Sequence, residues 1–156
     1  MSGTKFLLDT NFILGLLKSQ PAVLAEASVR KLSVTECSYS AVTRMELLGF
    51  PGTSRDEEAP IRKKLGRRRD LPLTRAIEEV VISLSQTPAI QLPDADIAAT
   101  DICEGVDTLT VDKTTTVHRA AKLDFIVIST SLPNAAFRCL PGRFSIEGQE
   151  VFILNS

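Results

Sequence analysis

The chain is predicted to fold as an α/β domain with a mainly parallel central sheet. Two observations carry this. Short, wholly apolar segments that read as buried strands alternate with helical segments, the pattern of a sheet covered on both faces. Carboxylates recur where those apolar segments stop and the next helix begins, the place where open α/β sheets bind their ligands.

Taken in order, Lys5-Phe6-Leu7-Leu8 is a short strand that ends at Asp9-Thr10-Asn11. Phe12 to Lys18 reads as a short apolar helix, and Pro21 to Leu32 as another with proline in its first turn. Val34 to Tyr39 is a strand, and Ser40 to Phe50 a helix by the spacing of Val42, Met45, Leu48 and Gly49. Phe50-Pro51-Gly52 breaks it. Ser54-Arg55-Asp56-Glu57 fits a capping box, although Pro60 moves the expected start of the regular helix toward Ala59. Leu71-Pro72-Leu73 is an extended stub, Arg75 to Ser85 a helix, and Asp94 to Glu104 a helix closed by Gly105. Thr108 to Val111 is a strand, Thr116 to Lys122 a helical turn, and Phe125 to Ser129 an apolar strand. One domain over residues 1–131 is expected. Residues 132–156 form a C-terminal appendage whose segment 144–154, with Gly148 central, has a hairpin pattern.

A length of 156 residues suits one domain with a sizeable core. Lys+Arg 18 against Asp+Glu 19 leaves a formal net charge of -1, which excludes a polycation holding nucleic acid by bulk charge. No apolar run approaches the ~18 residues of a membrane span. Asp9 interrupts the first apolar run too early for a secretory signal. Three cysteines, Cys37, Cys103 and Cys139, are an odd number without metal spacing, so a reduced, cytoplasmic chain with no membrane partner is expected.

The charges are segregated. Arg62-Lys63-Lys64, Arg67-Arg68-Arg69 and Arg75 form a basic block, whereas no Lys or Arg occurs between Arg75 and Lys113. That interval carries Glu78, Glu79, Asp94, Asp96, Asp101, Glu104, Asp107 and Asp112. Such a pair of blocks is either a solvated surface of mixed sign or an acidic metal pocket beside a phosphate-binding rim.

The candidate chemistry lies at four acids. Asp9 ends the first strand, Asp112 ends the fourth, Asp94 opens a helix after Gln91-Leu92-Pro93, and Glu46 interrupts an apolar stretch. Asp9 and Asp94 also fit helix capping, and Asp112 a turn. Glu46 has no such reading and needs a partner. Four carboxylates converging from four segments describe a site for a hard cation, Mg²⁺ or Mn²⁺. His118, the sole histidine, reads as a surface or packing residue, so no histidine base is expected.

These residues carry a resemblance. Leu7-Leu8-Asp9-Thr10-Asn11, Met45-Glu46-Leu47-Leu48-Gly49-Phe50-Pro51-Gly52 and Leu92-Pro93-Asp94-Ala95-Asp96-Ile97-Ala98-Ala99-Thr100 resemble the PIN-domain signature in order and spacing. The last two stretches are similar to VapC toxins of bacterial type II toxin–antitoxin pairs. The resemblance covers residues 5 to 130. It implies a PIN-like α/β/α sandwich, a Mg²⁺- or Mn²⁺-dependent endoribonuclease, a homodimer, and neutralisation by a cognate antitoxin. Asp9, Glu46 and Asp94 match the first three acids of the family quartet, and Asp112 the fourth through Thr110-Val111-Asp112. Asn11 and Thr110 match positions where polar groups support the metal. Thr10 and Ser40 are further candidates for hydrogen bonds to the acids.

The chain departs from the family where Asp112-Lys113-Thr114-Thr115-Thr116 stands in the closing segment and Asp124-Phe125 comes late. Asp96 and Asp101 replace residues usually apolar or small. Asp101 is placed on one helix face with Asp94, about 10 Å away at ~1.5 Å per residue, while Asp96 is turned from Asp94 and expected to be a first-turn dipole residue. The expected reaction is hydrolysis of RNA phosphodiester bonds with the carboxylates holding the cation that activates water and neutralises charge on phosphorus. Arg67, Arg68 and Arg69, in the basic run, are the candidates for the RNA backbone. Two alternatives stay open: an inactive PIN-fold binding module, and another Mg²⁺ phosphohydrolase. An aspartyl-phosphate phosphatase would carry a second Asp at position 11, which is Asn.

Overall fold

A computed structural model of the chain describes residues 3–86, 88 and 90–110, together with the backbone of 144–146 and 149–151. Strand β1 (Phe6–Leu8) leads into helices α1 (Thr10–Leu17) and α2 (Pro21–Val29). A 3₁₀ turn (Val34–Glu36) precedes strand β2 (Cys37–Ser40), helix α3 (Ala41–Gly49) and helix α4 (Arg55–Leu65). Strand β3 (Arg69–Leu71), helices α5 (Arg75–Ser85) and α6 (Leu92–Glu104) and strand β4 (Asp107–Leu109) follow. Strands β5 (Phe144–Ile146) and β6 (Gln149–Val151) pair antiparallel.

The first four strands form one parallel sheet in the order β3-β2-β1-β4. Register pairs Leu7 with Ser38 and Thr108, Leu8 with Leu109, and Ser40 with Leu71. Strand alternation then divides the core. Leu8, Cys37, Tyr39 and Leu109 pack with Phe12, Ile13, Val23, Leu47, Ile61 and Leu65 of α1 to α4. Leu7 and Leu71 face the other way, against Ile97 of α6. Helix α6 also packs on α5, Ala95, Ala98, Ala99 and Ile102 meeting Ile77, Val80, Val81 and Leu84. Leu7 and Leu8, adjacent in sequence, are both fully buried, as a strand sandwiched between two helical layers requires. This is the expected PIN-like α/β/α sandwich.

Local boundaries shift for physical reasons. The expected strand from Val34 starts only at Cys37, because the preceding residues make a 3₁₀ turn in which Ser33 pairs with Thr35 and accepts from Glu36 N–H, local bonds that compete with the ladder. Helix α4 begins at Arg55 rather than near Ala59. Its capping box is complete, with Glu57 N–H donating to Ser54 Oγ and Ser54 N–H donating to Glu57, and Pro60 lies exposed within the helix. Strand β3 ends at Leu71, before Pro72, which has no N–H for a ladder. Gly15 marks the crossing of α1 and α2, where a Cβ would collide with Val23. Gly105 ends α6 in the left-handed conformation at φ 64°. Asp112, His118, Asp124 and the expected elements at 116–122 and 125–129 lie outside the described residues.

Candidate active site

A cavity of about 720 Å³ opens beyond the carboxyl end of β1, the usual ligand position in such a sheet. Its wall is built by Asp9, Thr10, Asn11, Leu14 and Lys18 from the first strand–helix unit, by Glu46 and residues 49–53 after β2, by Glu57 and Ile61 of α4, and by Pro93, Asp94 and Ile97 of α6. Three of the four expected acids, distant in sequence, thus share one concave surface.

Each acid arrives by a separate local rule. Asp9 is 5% exposed and caps α1, its Oδ1 accepting from Phe12 N–H at 2.7 Å. One carboxylate therefore serves both the helix and the cavity. Glu46, on α3, is half-buried and accepts a hydrogen bond from the Thr10 hydroxyl. This is the partner that its apolar sequence surroundings required. Asp94 is the third residue of α6, behind Pro93 in the first turn, where the N–H groups of the helix favour negative charge.

Of the expected supporting residues, Thr10 and Asn11 line the cavity, and Thr10 bonds Glu46. Ser40 does not line it. It caps α3, accepting from Thr43 N–H, and stands beside Asp96. Thr110 follows β4 and is half-buried outside the cavity wall.

The structure corrects the reading of Asp96 and places Asp101 and the arginine run. Asp96 is not a first-turn dipole residue: it is the fifth residue of α6 and only 2% exposed. Asp101, seven residues after Asp94, accepts from Thr108 Oγ1 at 2.6 Å and Thr108 N–H at 3.2 Å and is not part of the cavity wall. Arg67, Arg68 and Arg69 lie at the amino end of the sheet, opposite the cavity. Arg69 pairs in register with Ser38 and reaches Thr4 before β1, and Arg68 donates to the Lys64 carbonyl at the end of α4. Among the described residues, the basic side chain that lines the cavity is Lys18. Nothing in the sequence marks Lys18, a single cation after the apolar α1 and outside the arginine-rich run.

Among the described residues, no three His, Cys, Asp or Glu side chains stand close enough to hold a metal ion by themselves. The oxygen donors around the cavity are nonetheless of the kind Mg²⁺ and Mn²⁺ take. These ions retain several waters and are held by one or two carboxylates directly. Burial pushes the Asp96 carboxyl above its ordinary range, the Ser40 hydroxyl beside it acts the other way, and the charge of Glu46 adds to the rise. Glu57 at the rim is held below its ordinary range by the Ser54 N–H and hydroxyl.

The fold and the carboxyl-end acidic cavity define a class: a PIN-like α/β/α domain. Solved structures agree on the fold. A chain of a toxin–antitoxin complex from Klebsiella pneumoniae superposes with a TM-score of 0.58 at 23% identity, covering 69% of this chain and 87% of that one. A chain of FitAcB from Neisseria gonorrhoeae gives 0.58 at 22%, covering 72% and 91%. A chain of VapBC2 from Rickettsia felis, bound there to a DNA fragment from their promoter, gives 0.54 at 18%, covering 73% and 92%. No family model and no curated protein sequence matches the chain.

Proposed function

We propose that the chain is a metal-dependent endoribonuclease and the toxin of a toxin–antitoxin pair. The observation that carries the reading is the convergence of Asp9, Glu46 and Asp94, from three separate elements, on one cavity at the carboxyl ends of the strands.

Asp9, Asp94 and Glu46 are the residues that would hold Mg²⁺ or Mn²⁺, with Asp112, outside the described residues, as the fourth acid by sequence. When bound, such an ion supplies an activated water and offsets the negative charge that builds on a phosphate under attack. The protein's own part is positioning. Thr10 fixes the Glu46 carboxylate, the Asp9 cap fixes one aspartate oxygen, and Lys18 offers a cation to the substrate backbone. The apolar wall of Leu14, Ile61 and Ile97 limits water. An RNA strand carries the anionic phosphodiester such a site needs, and an unpaired strand lets its backbone enter a cavity.

The toxin reading takes its support from the toxin–antitoxin complex of Klebsiella pneumoniae, one chain of which shares the fold. An antitoxin partner and a homodimer belong to the same proposal. The test is incubation of the purified chain with single-stranded RNA in Mg²⁺ or in a chelator. Cleavage only with the metal, absent in Asp94→Asn, supports the reading. Metal-independent cleavage, or none in either condition, refutes it.

A further inference from the structure

Helix α6 carries four carboxylates; Glu104, its last residue, is exposed, and two of the other three are accounted for. Asp94 faces the cavity. Asp101 is satisfied by the Thr108 N–H and hydroxyl. Asp96 is the third. It is 2% exposed, and its Oδ2 is buried without a hydrogen-bond partner among the described residues.

Its position is specific. Two residues along an α-helix turn a side chain by about 200°, so Asp96 points away from the cavity that Asp94 and Ile97 line and toward the sheet. There Ser40 stands on the same sheet face as Ser38 and Leu71, the face turned to α6, its hydroxyl donating to Thr43 Oγ1 and acting on the Asp96 carboxyl beside it. Ser40 is both the last residue of β2 and the N-cap of α3. Glu46 is the sixth residue of α3, and its charge is felt at Asp96. An apolar side chain would fill this place without an unsatisfied oxygen, so packing alone does not explain a carboxylate there.

We propose that Asp96 is a positioning residue that braces α6, which carries Asp94, against the Ser40 cap of α3, which carries Glu46, and so sets the spacing of the two acids. The proposal rests on the reading of those acids as metal ligands. It assigns Asp96 no contact with the metal or the RNA.

The test uses the full chain, with Mn²⁺ alone as the probe in calorimetry and the melting temperature measured in parallel. Asp96→Leu should melt at or above the wild-type temperature, because it removes the unpartnered oxygen. Its Mn²⁺ affinity should nevertheless fall about ten- to hundredfold, the usual loss when the group orienting a ligand is removed. Asp96→Asn, which keeps a polar side chain of the same size beside Ser40, should recover most of that affinity. Ser40→Ala should weaken Mn²⁺ binding, and the double variant with Asp96→Leu should be no weaker than the worse single one, since both cut the same link. If Asp96→Leu does not fold, Asp96→Asn with Ser40→Ala carries the same comparison, and losses that multiply overturn the brace. Wild-type Mn²⁺ affinity in Asp96→Leu overturns the positioning role alone. A wild-type chain that takes up no Mn²⁺ overturns the metal site and this proposal with it.

Discussion

The Thr10 hydroxyl donates to the carboxylate of Glu46, joining the first residue of α1 to α3 across 36 positions of sequence. Because Thr10 follows Asp9 directly, the same short segment carries one acid of the cavity and orients another. Thr10→Val, which keeps the shape and removes the hydroxyl, should leave the melting temperature within about 2–4 °C of wild type. It should raise the Mg²⁺ concentration needed for half-maximal cleavage about tenfold. A Mg²⁺ titration of single-turnover cleavage checks it, and an unchanged midpoint would remove Thr10 from the site.

Asp9 has two duties that substitution can separate. Asparagine keeps an oxygen for the Phe12 N–H, whereas alanine loses the cap at a cost of about 1 kcal/mol. Both variants should lose metal-dependent cleavage, but only Asp9→Ala should unfold earlier in denaturant. Equal stability of the two would show that the cap contributes nothing measurable.

Asp101 and Asp94 lie on one helix, yet their variants should differ in kind. Asp101→Ala leaves the Thr108 N–H without its carboxylate and should cost about 1–3 kcal/mol of stability. Its melting temperature should still rise with added Mg²⁺ by as much as that of wild type. Asp94→Asn should do the reverse, keeping its stability and losing the Mg²⁺ response. Thermal scans with and without Mg²⁺ distinguish them.

The architecture was legible in the sequence because apolar strands such as Leu7-Leu8 and the helix closed by Gly105 obey local rules that burial reinforces. Asp9, Glu46 and Asp94 were legible because each stands where a strand or helix edge, or an apolar stretch, makes a carboxylate conspicuous. What sequence spacing does not encode is which end of a strand a side chain reaches. Arg67 to Arg69 looked like a nucleic-acid rim, but β3 runs parallel to its neighbours and carries the run to the far end of the sheet. Asp96 was hidden for a related reason. Its helical angle from Asp94 could be read, but the sheet against which that angle aims it is a tertiary fact.

The same topology yields a contrast in RNA binding. Lys18→Ala should raise the KM for RNA several-fold with little change in kcat, as loss of one phosphate contact predicts. Arg67→Ala and Arg69→Ala should change it little. Steady-state cleavage at fixed salt decides between the rims, and a larger effect from the arginines would move the RNA path to the other end of the sheet.

Glu57 gives a pH signature. The Ser54 N–H and hydroxyl hold its carboxyl below the ordinary 4.5, so its ionised form stabilises the folded chain above that value. This contribution is lost as pH falls through the lowered folded value. Melting temperatures of wild type and Glu57→Gln should therefore differ at neutral pH and converge in acid. A gap that widens on acidification would contradict the capping box as its source.

If the proposed site is right, Asp9, Glu46 and Asp94 act together on one cation. The most direct measurement is single-turnover cleavage of a single-stranded RNA over a range of Mg²⁺ concentrations, for wild type and for Asp9→Asn, Glu46→Gln, Asp94→Asn and their triple variant. Wild type should cleave at a Mg²⁺-dependent rate, each single variant should lose at least about a hundredfold, and the triple should lose little more, because groups acting as one unit are not additive. A wild-type rate in any single variant, or losses that multiply in the triple, would contradict joint action on one cation.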